Sequence, residues 1–244
     1  YNIRNFNGSI RTTSNHFIYI DTLSLEAAGG QIKMSGYFNG SNPKLIYFSP
    51  KMNLYKVDLD ELLLKFENFG QDYLVSENLH GKLSGDLWGK IHIHKDMVPI
   101  IDDSEIHLDF NVVSGKLENF SPMKYLADYF ANKNVAKVLF DTLQNHIDLK
   151  GGSMNIPNMK INTSLGFVEI SGTQNSDFSF EYFLKVPWKM ITKAGVSKLF
   201  AKKDQQNSED DEIIYATEGK KIRYVNIQLK GDLEDYTIKL KKKK

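Results

Sequence analysis

Residues 79–94, LHGKLSGDLWGKIHIH, decide the fold class of this chain. Leucine, isoleucine or glycine occupies every odd position of the stretch, and polar residues or Trp88 occupy the even positions. This period of two is typical of a β-strand with one apolar face. Its sixteen residues would span roughly 50 Å at about 3.3 Å each. Because ordinary strands have about 5–6 residues, the stretch predicts either a bent hairpin or a sheet of unusually long strands.

The same alternation continues on both sides of this stretch. Apolar residues recur at every second position in the segments 23–27, 106–112, 178–186, 225–229 and 236–240. No β-α-β rhythm separates these segments. We therefore predict a mainly β fold, with about ten to twelve strands in an antiparallel sheet.

Glycines mark the expected turns between strands. The apolar phase changes at 29–30, 151–152 and 165–166, which predicts hairpins at these positions. The segments 30–36 (GQIKMSG) and 166–172 (GFVEISG) also share one pattern, in which two glycines bracket a short amphipathic strand. Such glycines are typical of kinks and of close backbone approaches. The repetition suggests a hairpin used twice.

Short helices are predicted where the apolar spacing changes from two to three or four. Asp58 and Glu61 form an N-terminal capping pattern before the first of them, and Ser121 and Pro122 open the second. Helices this short are stable only when their apolar side is docked, so we expect them at an end or an edge of the sheet. The predicted segments are 58–68, 121–130, 135–143 and 187–199.

Composition excludes several classes of function. Lysine and arginine total 31 against 30 aspartate and glutamate, a net charge of +1, and the basic residues form no stripe, so no nucleic-acid partner is expected. The chain has no cysteine, which rules out disulfides, thiolate metal sites and a cysteine nucleophile. No window approaches the roughly 20 apolar residues of a membrane-spanning helix. A polar segment at 201–212 and the lysines at 241–244 are interpreted as a mobile loop and a solvated tail.

Motifs for catalysis are absent from the sequence. Gly-x-Ser-x-Gly, the P-loop and His-Glu-x-x-His do not occur. His92 and His94 would point to one strand face and could contact one zinc ion, but no third ligand is evident, and both fit the polar face of the strand equally well. We therefore predict no enzyme activity, no cofactor and no metal.

The surplus of one-sided hydrophobic strands admits two architectures. A two-layer sandwich would bury the apolar faces against each other. A single curled sheet would instead leave its concave apolar face open to acyl chains. The alternation alone does not choose between them.

A series of motifs, taken in order, resembles the C-terminal region of AsmA-family proteins, which are related to TamB and to bridge-like lipid-transfer proteins. The resemblance covers roughly residues 1–195 and returns at the last strands. The motifs are AAGGQIKMSG at 27–36, MNLYKVDLDEL at 52–62, FGQ at 69–71, ENLHGKLSG at 77–85, SGKLENFSPM at 114–123, MNIPNM at 154–159, VEISG at 168–172 and FEYFLKV at 180–186.

This resemblance implies a long, twisted antiparallel sheet that is curled into an open groove, with residues 1–244 as one groove domain of a longer chain. It implies a periplasmic location, with a tether to the inner membrane upstream of this stretch. It also implies a passive part in phospholipid transport between the inner and outer membranes and in outer-membrane homeostasis. The expected partners are phospholipid acyl chains, the membrane and an envelope protein.

Two other functions stay open. One is a docking module for outer-membrane protein assembly, with helices 58–68 and 122–143 as its contact surface. The other, ranked last, is an enzyme acting on a glycan.

Strand parity supplies the expected groove lining. The predicted lining residues are Leu83, Leu87, Ile91, Ile93, Ile106, Leu108, Phe110, Val112, Phe178, Phe180, Tyr182 and Leu184.

Overall fold

The computed structural model contains one open antiparallel sheet in which every strand pairs with its neighbours in the sequence. The residues it describes are 3–65, 68, 75–120, 135–191, 223–232 and 235–241. The strands are β1 (Arg4–Thr12), β2 (Phe17–Ala27), β3 (Gly30–Asn39), β4 (Tyr47–Asp58), β5 (Leu79–Ile93), β6 (Pro99–Glu118), β7 (Lys137–Lys150), β8 (Ser153–Thr163), β9 (Gly166–Asn175), β10 (Phe180–Pro187), β11 (Tyr224–Gly231) and β12 (Tyr236–Lys241).

The mainly β, antiparallel fold class is confirmed. The stretch at 79–94 forms the 15-residue strand β5, which pairs along its length with β4 and with the 20-residue strand β6. Of the two outcomes predicted for this stretch, the sheet of long strands is therefore the one that forms. Among the described residues, each strand packs beside its neighbours in the sheet, and helix α1 (Leu59–Lys65) packs on β4 and β5. The described strands thus do not fold over into a two-layer sandwich.

Tight turns occur at the predicted glycine positions. Gly151 and Gly152 form the two-residue loop between β7 and β8, with φ angles of 57° and 69°. Positive φ at both positions is the signature of a type I′ hairpin, whose twist matches that of the flanking strands. The repeated glycine pattern also has a structural basis. A Cβ on Gly36 would lie 2.3 Å from a β4 carbonyl oxygen, and one on Gly172 would lie 2.2 Å from a β10 carbonyl oxygen.

Three strands carry a β-bulge between two apolar residues that are three positions apart. In a regular strand such residues would point to opposite faces of the sheet. In each case the partner strand advances by only two residues, so the extra residue returns both side chains to one face. The pairs are Ile20/Leu23 in β2, Leu54/Val57 in β4 and Ile156/Met159 in β8.

The helix predictions have mixed outcomes. The predicted helix at 58–68 is confirmed in α1. The helix at 135–143 is wrong, because this segment enters β7, where Val138 lies opposite Leu117 of β6. The apolar spacing of 135–143 suits a helix. Pairing as a strand, however, also satisfies the backbone N–H and C=O groups along the edge of the long strand β6. Pro187 ends β10 and is followed by a short 3-10 helix, Trp188–Met190.

Other predicted segments lie outside the described residues. These are 121–130, the rest of the helix predicted at 187–199, the polar segment 201–212 and, within the terminal lysines, 242–244.

Buried side chains form two clusters. The α1 cluster packs one side of α1 onto the sheet and consists of Ala28, Ile32, Leu54, Val57, Leu59, Leu62, Leu83, Val112 and Phe140. The β11 cluster lies around β10 and β11 and consists of Val135, Val138, Leu165, Phe180, Val186, Met190, Ile191, Val225, Ile227 and Leu229.

We expect Leu62→Ala to lower the free energy of unfolding by about 2–4 kcal/mol, because it removes buried apolar contacts and leaves a cavity. Leu62 is 8% exposed, whereas Leu64 in the same helix is 61% exposed. Leu64→Ala is the matched control and should change stability by no more than about 0.5 kcal/mol. Urea denaturation of both variants measures the difference. Equal losses would contradict the docking of α1 on the sheet.

Candidate functional site: the open apolar face

One face of the sheet carries a row of six apolar side chains that crosses β2 to β7. Each residue lies directly opposite the next one in the backbone register, and each is half-buried. At a strand spacing of about 4.8 Å, the row spans roughly 24 Å. The residues of this apolar row are Leu23, Met34, Met52, Leu87, Leu108 and Ile147.

Glycines widen the surface on both sides of this row. Gly85 and Gly89 flank Leu87 on the apolar face of β5. A Cβ on either glycine would come within 2.2 Å of a β6 carbonyl oxygen, so β6 approaches too closely for a side chain. Phe110 lies opposite Gly85 and Ile106 lies opposite Gly89, and both are half-buried. The apolar surface therefore carries side chains next to bare backbone.

The predicted lining residues separate into three groups in the structure. Leu87, Ile91, Ile106 and Leu108 are half-buried on the open apolar face, and the half-buried Phe110 beside them packs against the α1 cluster. The others, Phe178 excepted, are buried or packed against a cluster: Leu83, Ile93, Val112, Phe180, Tyr182 and Leu184.

The placement of Phe178 on a strand is wrong. Phe178 lies in the turn between β9 and β10, with φ of 65° and 41% exposure. In this turn the Asp177 carboxylate accepts hydrogen bonds from the backbone N–H and the hydroxyl of Ser179. These bonds favour a turn over an extended strand at this point, and they lower the pKa of Asp177.

Sequence parity missed four residues of the apolar row: Leu23, Met34, Met52 and Ile147. Leu23 belongs to an alternating segment and could have been assigned. Ile147 follows the segment that was interpreted as a helix. Met34 and Met52 alternate only over short stretches, and their alignment with Leu87 follows from strand pairing, which the sequence does not display.

The opposite face of β5, β6 and β7 is polar and aromatic. The Trp88 ring stacks on His107 with centroids 5.4 Å apart, and His146 lies 5.9 Å from Trp88. Farther along β5, His92 packs against Tyr47 at 5.8 Å, while the exposed His94 lies beyond the strand. His92 and His94 thus occupy different environments. Among described residues, the group with three potential metal-ligand atoms within 4.8 Å of one another is His107, His146 and Asp148.

Histidine and aspartate alternate reciprocally across β6 and β7. His107 lies opposite Asp148, and Asp109 lies opposite His146. The ring nitrogens of His146 contact Asp109 at 2.6 Å and Asp148 at 2.8 Å. Hydrogen bonds to Asp109 and Asp148 raise the pKa of His146, and hydrogen bonds from His107 and His146 lower the pKa of Asp148. We call these four residues the His–Asp cluster.

The helical docking surface predicted at 58–68 and 122–143 is not present in that form. α1 supplies an exposed Leu64 beside Asp60 and Glu61. Residues 137–143, however, are strand, and 122–134 lie outside the described residues.

Two cavities lie on the described sheet. One of about 610 Å³ is bounded by the β2–β3 turn, β4 and α1, and charged residues such as Arg4 and Lys65 contribute to its lining. The other, of about 830 Å³, extends from β2 to β5, and both the apolar row and polar neighbours line it. Both are open depressions, so the apolar row is a surface and not an enclosed pocket.

No protein-family model, curated protein or solved structure matches this chain. The resemblance to the AsmA family therefore stays a prediction from the motifs. Among the described residues, no helix has the length and apolar character that crossing a membrane requires.

A partly buried ion pair connects the polar sides of β9 and β10. Lys185 Nζ lies 2.6 Å from Glu169 Oε1, and the Asn158 amide donates to Oε2 at 3.2 Å. Burial acts to raise the pKa of Glu169, but the hydrogen bonds from Lys185 and Asn158 outweigh it and lower the pKa.

We expect Glu169→Gln to destabilise the protein by about 1 kcal/mol at neutral pH. Because the folded-state pKa of Glu169 is lowered, its stabilisation is present above the ordinary pKa and is lost as the pH falls through the folded-state value. The difference from the unmodified protein should thus shrink under acid conditions in urea denaturation. Glu77→Gln, at an exposed turn position, is the control. A difference that is constant with pH would contradict the ion pair.

Proposed function

We propose that this chain is a non-enzymatic lipid-binding groove domain that takes part in phospholipid transport between the inner and outer membranes. One observation carries the proposal: an apolar row crosses six strands and, among described residues, no second layer of strands covers it. Large exposed apolar surfaces on soluble domains are typical of interaction sites.

Acyl chains suit this surface physically. Apolar contact contributes about 25 cal/mol per Å² removed from water. A row of apolar side chains, with bare backbone at Gly85 and Gly89, offers many weak contacts and no fixed polar anchor. Such a surface favours an acyl chain that can slide along it more than a ligand that must be held in one orientation. The polar face of the same strands would stay in water.

The motif resemblance supplies the cellular part of the proposal. A periplasmic location, a tether to the inner membrane and a role in outer-membrane homeostasis all come from the AsmA-like motifs. Transport on such a surface is passive, because lipid moves down a gradient that another process maintains.

Mass spectrometry of an organic extract from the purified chain tests the proposal directly. We expect phospholipid in stoichiometric amounts, compared with a control protein handled in the same way. A lipid-free extract, together with no uptake of fluorescent phospholipid from vesicles, would overturn the proposal.

We expect Leu108→Asp to weaken phospholipid binding roughly tenfold, since a leucine contact contributes about 1.5–3 kcal/mol when it is fully buried. Gln144→Asp is the matched control, because Gln144 is exposed on β7 and points to the polar face. It adds the same charge on the other side of the sheet and should leave binding unchanged. Phe180→Asp is a poorer test, since Phe180 is only 7% exposed within the β11 cluster and its replacement would unfold that end.

Circular dichroism and thermal melting establish that both aspartate variants are folded. Equal lipid loss in the two variants would contradict a binding site on the apolar row and would favour a nonspecific effect of charge.

A further inference from the structure

The His–Asp cluster brings three potential ligand atoms together at one point on the polar face. His107 Nδ1 lies 2.5 Å from Asp148 Oδ1, and His146 Nε2 lies 2.8 Å from the same oxygen. The side chains of His107, His146 and Asp148 are 27%, 37% and 38% exposed, so the group is reachable from solvent. Two imidazoles and a carboxylate are a ligand set typical of zinc.

The second nitrogen of each imidazole also faces a carboxylate. His146 Nδ1 lies 2.6 Å from Asp109 Oδ1, and His107 Nε2 lies 3.4 Å from Glu105 Oε1. In protein metal sites, a carboxylate that accepts the other ring N–H orients the histidine and makes it a better ligand. His146 therefore has the hydrogen-bonded outer partner that metal-binding histidines usually have, and His107 has a carboxylate at ion-pair distance.

The backbone and an aromatic ring restrict the positions of these ligands. His107 and Asp148 are directly opposite each other in the β6–β7 register, and His146 is two residues from Asp148 on the same face of β7. Trp88 stacks on the His107 ring from β5, with an interplanar angle of 18°. Ligands on paired strands are held more precisely than ligands on loops.

We propose that His107 Nδ1, His146 Nε2 and Asp148 Oδ1 bind one Zn²⁺ ion, with water in the fourth position. Bonds of about 2.0 Å in a tetrahedral site separate the ligand atoms by roughly 3.3 Å. The present separations from Asp148 are shorter, so small side-chain rotations would admit the ion. Zinc displaces the protons that the ring nitrogens share with Asp148, and these protons pass to solvent. The bound ion links β6 to β7 on the side of the sheet away from the apolar row, and it does not depend on the proposed lipid function.

Zinc titration of the untagged, chelator-treated and dialysed chain tests the site. With ZnCl₂ as the probe, calorimetry should give saturable binding of one ion per chain. With CoCl₂, the visible d–d bands of a tetrahedral complex should appear at the same stoichiometry and disappear when zinc is added. Absence of saturable one-to-one binding would overturn the proposal and leave a hydrogen-bonded network of histidine and aspartate only.

Variants identify the ligands. His146→Gln and Asp148→Asn should abolish the cobalt bands, and Asp109→Asn should weaken zinc binding by about 10–100-fold, because it removes an outer partner. His92→Gln is the matched control: this histidine lies on the same polar face but outside the cluster. Far-UV circular dichroism establishes that each variant is folded. Binding that survives both His146→Gln and Asp148→Asn, or that falls equally in His92→Gln, would place the ion elsewhere and overturn the proposal.

Discussion

Hydrogen-bonded pairing between consecutive strands is the interaction on which the rest of this structure depends. Since side chains alternate with a period of two, a shift of one residue in the pairing of a strand would move all its apolar residues to the other face. The bulges show how this constraint is met. Val57 is three residues from Leu54, yet the bulge in β4 places it opposite Leu83, where it is fully buried in the α1 cluster.

The two buried clusters explain how a single sheet can keep an open apolar face. The α1 cluster covers part of strands β3 to β7 with a helix, and the β11 cluster covers the region of β10 and β11 with Val135 and the residues that follow β10. Leu87 and Leu108 belong to neither cluster and stay half-buried. Burial in these two clusters therefore stabilises the sheet, while the apolar row stays outside their buried residues.

Long local patterns made much of the fold predictable from the sequence. The strand predicted at 79–94 matches β5 to within one residue, and the capping pattern at Asp58 correctly indicated α1. The failures occurred where a partner distant in sequence decides the structure. Residues 135–143 have helical spacing, but their pairing with β6 makes them a strand.

The candidate sites were less predictable for the same reason. The tripeptides His107-Leu-Asp109 and His146-Ile-Asp148 are visible in the sequence. Their reciprocal alignment depends on the β6–β7 register, which the helical interpretation of 135–143 concealed. Bulges add a second difficulty, because one extra residue reverses the parity inside a strand, and in the sequence this reversal looks the same as a turn.

The apolar row and the His–Asp cluster result from one register. Leu87, Leu108 and Ile147 are opposite one another on the apolar face. Their chain neighbours Trp88, His107 and Asp148 are also mutually opposite, and they point to the polar face. A slip of one residue between β6 and β7 would break both alignments at once. Contacts within the His–Asp cluster therefore stabilise the pairing that keeps the apolar row continuous, although the two groups lie on opposite sides of the sheet.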